Sequence, residues 1–277
     1  DLVRSRGLGD VYKRQGELIL HAIEQGYREF VIGIGGSATN DAGVGMLQAL
    51  GARFLDKDGA VLGKGGEILH RIAAINFSSV HPALKDTRFT IACDVRNPFC
   101  GPEGAAYVFA RQKGADDAMI EKLDAGMQSF ARLIHSTTGR EITHVPGAGA
   151  AGGLGGAFLA FLNAELKPGI DLLLQTLKFS EKIKGADLII TGEGRTDRQS
   201  LMGKVPSGIL EEAKRQGIPV IVVAGSIEDT EILNQAGFQG LFSIIPSPMS
   251  LETAMKPEVA KKNICRTVAQ IISLVNL

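Results

Sequence analysis

The sequence has no tryptophan, and aromatic residues make up only 5% of its 277 residues. Surfaces that bind single-stranded nucleic acid stack the bases on aromatic side chains, so this scarcity argues against such a surface. An excess of positive charge is also absent, because 30 basic and 30 acidic side chains cancel. Without a cluster of lysine or arginine there is no surface for a polyanion. We therefore expect no nucleic-acid partner.

Cysteine is scarce as well, and long apolar runs are absent. Cys93, Cys100 and Cys265 form no CxxC pair and fit no zinc-ligand spacing, which is typical of small buried thiols in a reducing cytoplasm. No apolar run reaches the ~18 residues that a membrane span needs, and the first residues lack the apolar core of a secretory signal. We therefore expect a cytoplasmic protein without a membrane partner.

The first fifteen residues differ in pattern from the rest of the chain. Residues 1–15 carry no sustained hydrophobic period, and a regular helical pattern begins at Gly16. We predict that this segment is non-native or disordered and contributes nothing to the fold.

From Gly16 onward, helical patterns alternate with short apolar strands such as FVIGIGG, ADLII and IPVIVV. This alternation is typical of an α/β fold with a parallel sheet of the Rossmann or flavodoxin kind. Between about residues 53 and 115 the strands are shorter and turns are frequent, which indicates a second architecture. We therefore expect two domains, residues 16–184 and 185–277.

Glycine is abundant, with 35 residues, and it is clustered where predicted strands run into loops. Ligands of open parallel sheets bind at the carboxyl ends of the strands, so these junctions are where a site is expected. The first to fourth junctions span residues 33–43, 92–99, 146–156 and 191–204.

The first junction, GIGGSATNDAG, offers backbone N–H groups and a helix N-terminus to an anion. Its candidate binding residues are Gly35, Gly36, Ser37, Asn40 and Asp41. The alternative is a helix N-cap, because asparagine and aspartate are favoured at that position.

The second junction, ACDVRNPF, places Asp94 at the end of an apolar strand. A carboxylate is costly there unless it serves a site or a hydrogen bond, so Asp94 is a candidate catalytic residue. The alternative is a turn that Asp94 forms with Asn97 and Pro98.

The third junction, PGAGAAGGLGG, precedes an apolar helix and is a candidate phosphate cradle. Its binding positions would be Gly147, Gly149, Gly152 and Gly153. The alternative is close packing of this helix against a neighbouring helix or sheet.

The fourth junction, TGEGRTDRQSLMGK, carries mixed charges directly after an apolar strand. Glu193, Arg195 and Asp197 are candidate catalytic residues, and Lys204 is a candidate nucleotide-binding residue. Arginine clamps carboxylate or phosphoryl groups, and a carboxylate such as Asp197 can hold Mg²⁺ or accept a hydroxyl proton. The alternative is a solvated loop laced by salt bridges.

These junctions favour an enzyme that acts on a small phosphorylated or carboxylate ligand, and they leave the reaction open. A dinucleotide-dependent dehydrogenase is disfavoured, because no glycine cluster has the GxGxxG spacing with an acidic residue beyond it.

Longer motifs that include these junctions resemble the first type of bacterial glycerate kinase, in order and over nearly the whole chain from Gly16. The motifs are GIGGSATNDAGVGMLQALG, ACDVRNPF, RQKGA, PGAGAAGGLGGAFLAFLNAELKPGI and ADLIITGEGRTDRQS. The resemblance implies a flavodoxin-like parallel-sheet domain, its C-terminal half in residues 185–277, with an inserted α/β domain that has a mixed sheet.

The resemblance also implies a reaction in which ATP and D-glycerate give ADP and 2-phosphoglycerate, with Mg²⁺ bridging the nucleotide phosphates. Asp94 or Asp197 would orient the attacking hydroxyl, and Arg195 would hold the carboxylate of glycerate. The N-terminal part that the family carries has no counterpart here. We therefore expect an exposed apolar surface and association into a homo-oligomer. The alternative function is that of a catalytically incompetent fragment, or a ligand-binding protein of the same fold.

Overall fold

The computed structural model of the protein describes residues 9–275. The chain divides into a first compact unit that ends at Lys167 and a second that begins at Pro168. The sequence-based boundary near residue 184 lies further along the chain, after two short helices that belong to the second unit.

Within its described residues, the first unit contains four α-helices and five strands. Its elements are α1 Gly9–Glu24, β1 Glu29–Gly33, α2 Val44–Ala49, β2 Arg53–Leu55, β3 Ala74–Asn76, β4 Arg88–Ala92, α3 Asp117–Thr138, α4 Ala150–Phe161 and β5 Glu165–Lys167. Short 3₁₀ helices cover Gly66–Arg71, Pro82–Asp86 and Arg111–Lys113, and a π-helical turn covers Ala106–Ala110.

Strands β1, β4 and β5 form a parallel sheet in that order, so their carboxyl ends share one edge. In the register, Gly33 lies opposite Ala92, and Ala92 lies opposite Lys167. Strands β2 and β3 form a separate antiparallel pair. Parallel pairing in a chain of alternating helices and strands confirms the α/β fold class.

Helix α1 begins at Gly9, not at the Gly16 that the sequence pattern predicts, because no proline or other strong helix breaker separates the two positions. Residues 9–15 are therefore helical rather than disordered, and residues 1–8 lie outside the described residues. That the segment 1–15 is foreign to the protein stays a prediction.

Phenylalanine supplies the largest buried side chains in the core of the first unit, which otherwise consists mostly of aliphatic residues. Phe89 stacks on Phe30 with ring centroids 5.2 Å apart and packs on Phe158 at 5.8 Å. Phe54 meets Phe130 edge to face at 5.8 Å. These rings join the parallel sheet to α4 and join β2 to α3. Strands β1 and β4 and helix α4 are the elements that carry the first three junctions.

The second unit repeats the strand–helix alternation. Its elements are α5 Gly169–Thr176, α6 Phe179–Lys182, β6 Ile189–Thr196, α7 Val205–Arg215, β7 Val220–Ile227, α8 Thr230–Ala236, β8 Gly240–Ser243, α9 Leu251–Ala254 and α10 Pro257–Val275, with a 3₁₀ turn at Arg198–Leu201. Strands β6, β7 and β8 form a parallel sheet in that order. Across the described helices of both units, none combines the length and the apolar character needed to traverse a bilayer.

The expected loop at GEGRT is instead the end of strand β6. The strand stays paired with β7 through Thr196, with Glu193 opposite Ala224 and Arg195 opposite Ser226. Glycine permits this pairing, because a Cβ on Gly192 would lie 2.5 Å from the carbonyl oxygen of Val223. Gly192 therefore serves close strand approach rather than a flexible loop, whereas a Cβ on Gly194 would meet open space.

The expectation that all three cysteines are buried is wrong in part. Cys100 is buried, but Cys93 is half-buried and Cys265 is exposed on α10. All three are free thiols, and only Cys93 lies at one of the candidate junctions.

The close packing of α1 against α2 in the first unit can be tested by substitution at Gly16. A Cβ on Gly16 would lie 2.5 Å from the carbonyl oxygen of Met46 and 2.7 Å from the Cβ of Ala49. We expect Gly16→Ala to lower the free energy of unfolding by about 1–3 kcal/mol, because the backbone must shift to admit the methyl group. Gly33→Ala is the matched control, since a Cβ there meets open space. Urea denaturation measures both, and equal loss in the two variants would contradict this packing.

Candidate functional site

A cavity of about 220 Å³ lies at the carboxyl ends of β1 and β4. Gly35, Gly36 and Ser37 from the first junction line it together with Asp94 from the second. The parallel pairing of β1 with β4 explains this, because it brings the two strand ends side by side. We call this space the β1–β4 cavity.

Asp94 is exposed in this cavity, and its neighbour Cys93 is half-buried there. The Cys93 thiol donates to the carbonyl oxygen of Val95 at 3.3 Å, and burial raises the pKa of the thiol. The thiol is therefore neutral, which leaves the Asp94 carboxylate as the acidic side chain of the cavity wall within the described residues.

Asp41 has the geometry of a helix cap. Its side chain is only 2% exposed, and its carboxylate accepts hydrogen bonds from the N–H groups of Gly43 at 2.9 Å and Gly45 at 3.0 Å. Burial raises the pKa of Asp41, while these hydrogen bonds and the positive charge of Lys113 lower it. Asn40 donates to Sδ of Met127 at 3.3 Å. Of the described residues, neither Asn40 nor Asp41 lines the cavity.

Lys113 lies in the cavity wall and was missed by the analysis of junctions. Its ammonium group donates to Oγ of Ser37 at 2.8 Å and to the carbonyl oxygen of Thr39 at 2.7 Å. Burial lowers the pKa of Lys113 to about 8, against the opposing effect of Asp41. The signal was the motif RQKGA, which lies outside every glycine cluster.

The glycines of the third junction permit close backbone contacts. A Cβ on Gly149 would lie 2.1 Å from the carbonyl oxygen of Pro98, and one on Gly152 would lie 2.2 Å from that of Thr39. Gly147 and Gly149 donate their N–H groups to the Asn97 carbonyl at 3.2 and 3.1 Å. These N–H groups donate to a carbonyl oxygen of the protein itself. The arrangement favours the alternative of close packing over a phosphate cradle.

Gly153, the remaining candidate glycine of the third junction, also permits a close backbone contact. Its φ is 93°, its N–H donates to the Gly149 carbonyl at 3.2 Å, and a Cβ there would lie 2.8 Å from Ala42. The neighbouring Ala150 and Ala151 line the β1–β4 cavity instead. The third junction therefore reaches the cavity through its alanines.

In the second unit, the three candidate residues of the fourth junction lie together at the end of β6. Nε of Arg195 lies 3.4 Å from Oδ2 of Asp197. Ser200 donates its hydroxyl to the Glu193 carboxylate and accepts the N–H of Asp197 at 3.3 Å. The side chain of Arg195 is 60% exposed, so it is accessible to a ligand. We call these residues the Arg195 cluster.

Two acidic residues after β7 join this cluster and were missed by the sequence analysis. Glu228 pairs with Arg195 at 2.8 Å, and Asp229 accepts from the N–H and Nε of Arg198 at 3.1 and 3.2 Å. The hydrogen bond from the Arg198 backbone, with the guanidinium, lowers the pKa of Asp229. A signal was available, because both follow an apolar strand.

Asp197 and Lys204 mark the starts of helical turns. Asp197 accepts the N–H of Gln199 at 2.9 Å and forms a capping box with Ser200 at the 3₁₀ turn. Lys204 is exposed and immediately precedes α7. Among the described residues, no group of three or more His, Cys, Asp or Glu side chains is placed to hold a metal ion.

Residues 13–276 match the model of the glycerate kinase family. Among curated relatives, "Glycerate kinase" of Halalkalibacterium halodurans is 46% identical over 87% of this chain and 64% of its own length. "Glycerate kinase" of Bacillus cereus is 45% identical over 95% of this chain and 68% of its own. "Glycerate 2-kinase" of Escherichia coli is 46% identical, over 92% of this chain and 67% of its own.

A crystal structure of a Salmonella typhimurium LT2 protein, assigned as glycerate kinase 2, has a TM-score of 0.78 and 42% identity. It matches 95% of this chain and 69% of its own. The chain thus spans about two thirds of the length of these proteins. A family match over residues 13–276, with relatives 45–46% identical over most of the sequence, shows that this chain belongs to the glycerate kinase family.

Proposed function

We propose that the chain catalyses transfer of the γ-phosphoryl group of ATP to a hydroxyl of D-glycerate, giving 2-phosphoglycerate. Family membership supports the reaction, and the name of the Escherichia coli relative, glycerate 2-kinase, supports the position. The observation that carries the proposal is the β1–β4 cavity, where Asp94 and Ser37 lie at the ends of parallel strands.

The size of the cavity favours glycerate as its occupant. Its volume of about 220 Å³ is below the roughly 300–1,000 Å³ of sites for drug-sized ligands, which suits a three-carbon acid. Gly35 and Gly36 add no side chains to the wall, which lets a ligand approach the backbone.

Asp94 is the residue that we assign to the attacking hydroxyl. Phosphoryl transfer depends on positioning and on electrostatic stabilisation, and a carboxylate that accepts the hydroxyl proton supplies both at the nucleophile. Asp94 lines the cavity that would hold glycerate, whereas Asp197 lies in the Arg195 cluster of the second unit, where it accepts the Gln199 N–H and pairs with Arg195. This difference favours Asp94 over Asp197 for that role.

We assign the Arg195 cluster to the phosphate groups of ATP. A guanidinium has five N–H donors. Asp197 contacts Nε of Arg195 and Glu228 contacts Nη2, so the N–H groups of Nη1 can face a phosphate. This departs from the expectation that Arg195 holds the glycerate carboxylate. Lys204, exposed before α7, adds a second positive charge for the nucleotide.

Asp197 is the residue that would hold Mg²⁺. Kinases bind Mg²⁺ through one or two carboxylates and the substrate phosphates, so a cluster of three protein ligands is not required. Oδ1 of Asp197 accepts the Gln199 N–H, while Oδ2 lies 3.4 Å from Nε of Arg195 and has lone pairs for a cation. When bound, Mg²⁺ would neutralise charge on the phosphates.

For its surroundings we propose a cytoplasmic enzyme that binds small molecules and no nucleic acid, supported by its three free thiols and its balanced charge. Exposed apolar side chains on and beside α9 and α10 support association of copies, with Leu251 75%, Met255 71% and Leu274 65% exposed.

The role of Asp94 is tested by Asp94→Asn. We expect kcat for ATP-dependent phosphorylation of D-glycerate to fall by about 10²-fold or more, because the amide cannot accept the hydroxyl proton. The melting temperature should not change, since the side chain is exposed. Asp187→Asn, another exposed position, is the control. Unchanged kcat in Asp94→Asn would contradict the assignment, and D-glycerate binding without turnover in the unaltered chain would support the ligand-binding alternative.

The role of the Arg195 cluster is tested by Arg195→Ala and Asp197→Asn. We expect Arg195→Ala to raise the KM for ATP, or to lower kcat if the guanidinium acts on the transferring group. Asp197→Asn should lower kcat by about 10²-fold while stability is kept, because asparagine also caps helices.

Arg198→Ala is the matched control for this pair of variants, since it removes the Asp229 ion pair of the same turn. An exposed ion pair contributes only about 0–1 kcal/mol, so its kinetics should stay near those of the unaltered chain. Near-identical kinetics in all three variants would show that the cluster is a structural salt-bridge network.

A further inference from the structure

We propose that Lys113 binds an oxyanion of the ligand in the β1–β4 cavity, the carboxylate of glycerate or a phosphate of ATP. This inference rests on the proposed function of the cavity. It adds a binding residue that lies outside all four junctions. It also gives the cavity wall a basic side chain, Lys113, in addition to the acidic side chain of Asp94.

The geometry leaves Lys113 one hydrogen-bond donor for a ligand. A lysine ammonium carries three N–H donors, and the described part of the chain supplies acceptors for two of them, Oγ of Ser37 and the carbonyl oxygen of Thr39. These two bonds fix the ammonium against the loop that follows β1. Because Lys113 also lines the cavity, the third donor is available from the cavity side.

The charges around the cavity match a hydroxy acid. Among the described residues that line it, Lys113 is the basic side chain and Asp94 the acidic one, while the Cys93 thiol is neutral. Glycerate has three carbons, with the carboxylate at C1 and hydroxyl groups on C2 and C3. A carboxylate at Lys113 and a hydroxyl at Asp94 would satisfy both protein groups with one small molecule.

Other charged groups near Lys113 are occupied elsewhere. Asp41, buried before α2, uses its carboxylate to accept the N–H groups of Gly43 and Gly45. Arg111, two residues before Lys113, pairs with Asp117 at the exposed start of α3. Lys113 is therefore the cation of this wall that a ligand can reach.

The protonation of Lys113 gives ligand binding a pH dependence. Burial lowers its pKa to about 8, so the ammonium form dominates below that pH and the neutral amine above it. An oxyanion binds the ammonium form, so affinity should be constant below about pH 7 and fall as the pH rises through 8. Asp41 stabilises the ammonium form, whereas burial of the site opposes it.

The test is isothermal titration calorimetry on the whole chain near pH 7, with D-glycerate, ADP and inorganic phosphate as separate probes. We expect Lys113→Met to weaken D-glycerate binding by about 10- to 100-fold, because one charge-assisted hydrogen bond is lost. Weakening of ADP or phosphate instead would support the same residue with a phosphate as its ligand. Wild-type affinity of Lys113→Met for all three probes would overturn the proposal.

Two further variants separate charge from folding. Lys113→Arg keeps the charge and should bind within a few-fold of the unaltered chain, while Lys122→Met removes an exposed lysine on α3 and should change nothing. Melting temperatures report whether each variant is folded. A folded Lys113→Arg that binds no better than Lys113→Met would count against a charge-based role.

The pH profile of the unaltered chain tests the proposal without any variant. We expect the affinity for the oxyanion probe to fall about tenfold per pH unit above pH 8, and to stay flat in Lys113→Arg, whose guanidinium keeps its charge. A flat profile in the unaltered chain, together with probe binding that Lys113→Met leaves unchanged, would overturn the proposal.

Turnover distinguishes this inference from the proposed function. If the unaltered chain phosphorylates D-glycerate and Lys113→Met binds every probe normally, the proposed function is supported and the role of Lys113 is wrong. If probe binding depends on Lys113 but the unaltered chain shows no turnover, the role of Lys113 is supported and the proposed kinase activity is wrong.

Discussion

Backbone segments in the first unit approach each other where no side chain fits, and the candidate site depends on these contacts. Gly149 lies against Pro98, and Gly152 lies against Thr39. Each contact ties the start of α4 to a loop that follows a strand of the parallel sheet. These three segments, together with the turn that carries Lys113, enclose the β1–β4 cavity. A methyl group at any of the contacts would push the segments apart and change the shape of the cavity.

The same packing explains the buried charges beside the cavity. Removing a carboxylate or an ammonium group from water costs several kcal/mol unless partners compensate. Asp41 is compensated by two backbone N–H groups, and Lys113 by Ser37 and Thr39. Ser37, Thr39 and Gly43 belong to the stretch between β1 and α2, and Gly45 lies in the first turn of α2. This stretch therefore fixes the start of α2 and the position of the Lys113 ammonium at once, which links the helix cap to the ligand-binding surface.

Much of this arrangement could be predicted from the sequence, and the exceptions have physical causes. Apolar strands between helices gave the α/β class, and parallel pairing of β1 with β4 brings Gly36 and Asp94 together as the position of their junctions suggests. The GEGRT segment is strand because Gly192 allows close pairing with β7. A pattern of glycines and charges does not distinguish such a strand from a loop. Lys113 was missed because it reaches the cavity from a 3₁₀ turn remote in sequence, and only tertiary packing places it there.

In the proposed complex, the β1–β4 cavity binds glycerate between Lys113 and Asp94. A crystal structure of the chain with D-glycerate and ADP would show the position of the ligand. We expect the glycerate carboxylate within about 3 Å of Nζ of Lys113 and a hydroxyl at hydrogen-bond distance from the Asp94 carboxylate. Glycerate bound away from this cavity, with Lys113 still held only by Ser37 and Thr39, would contradict it.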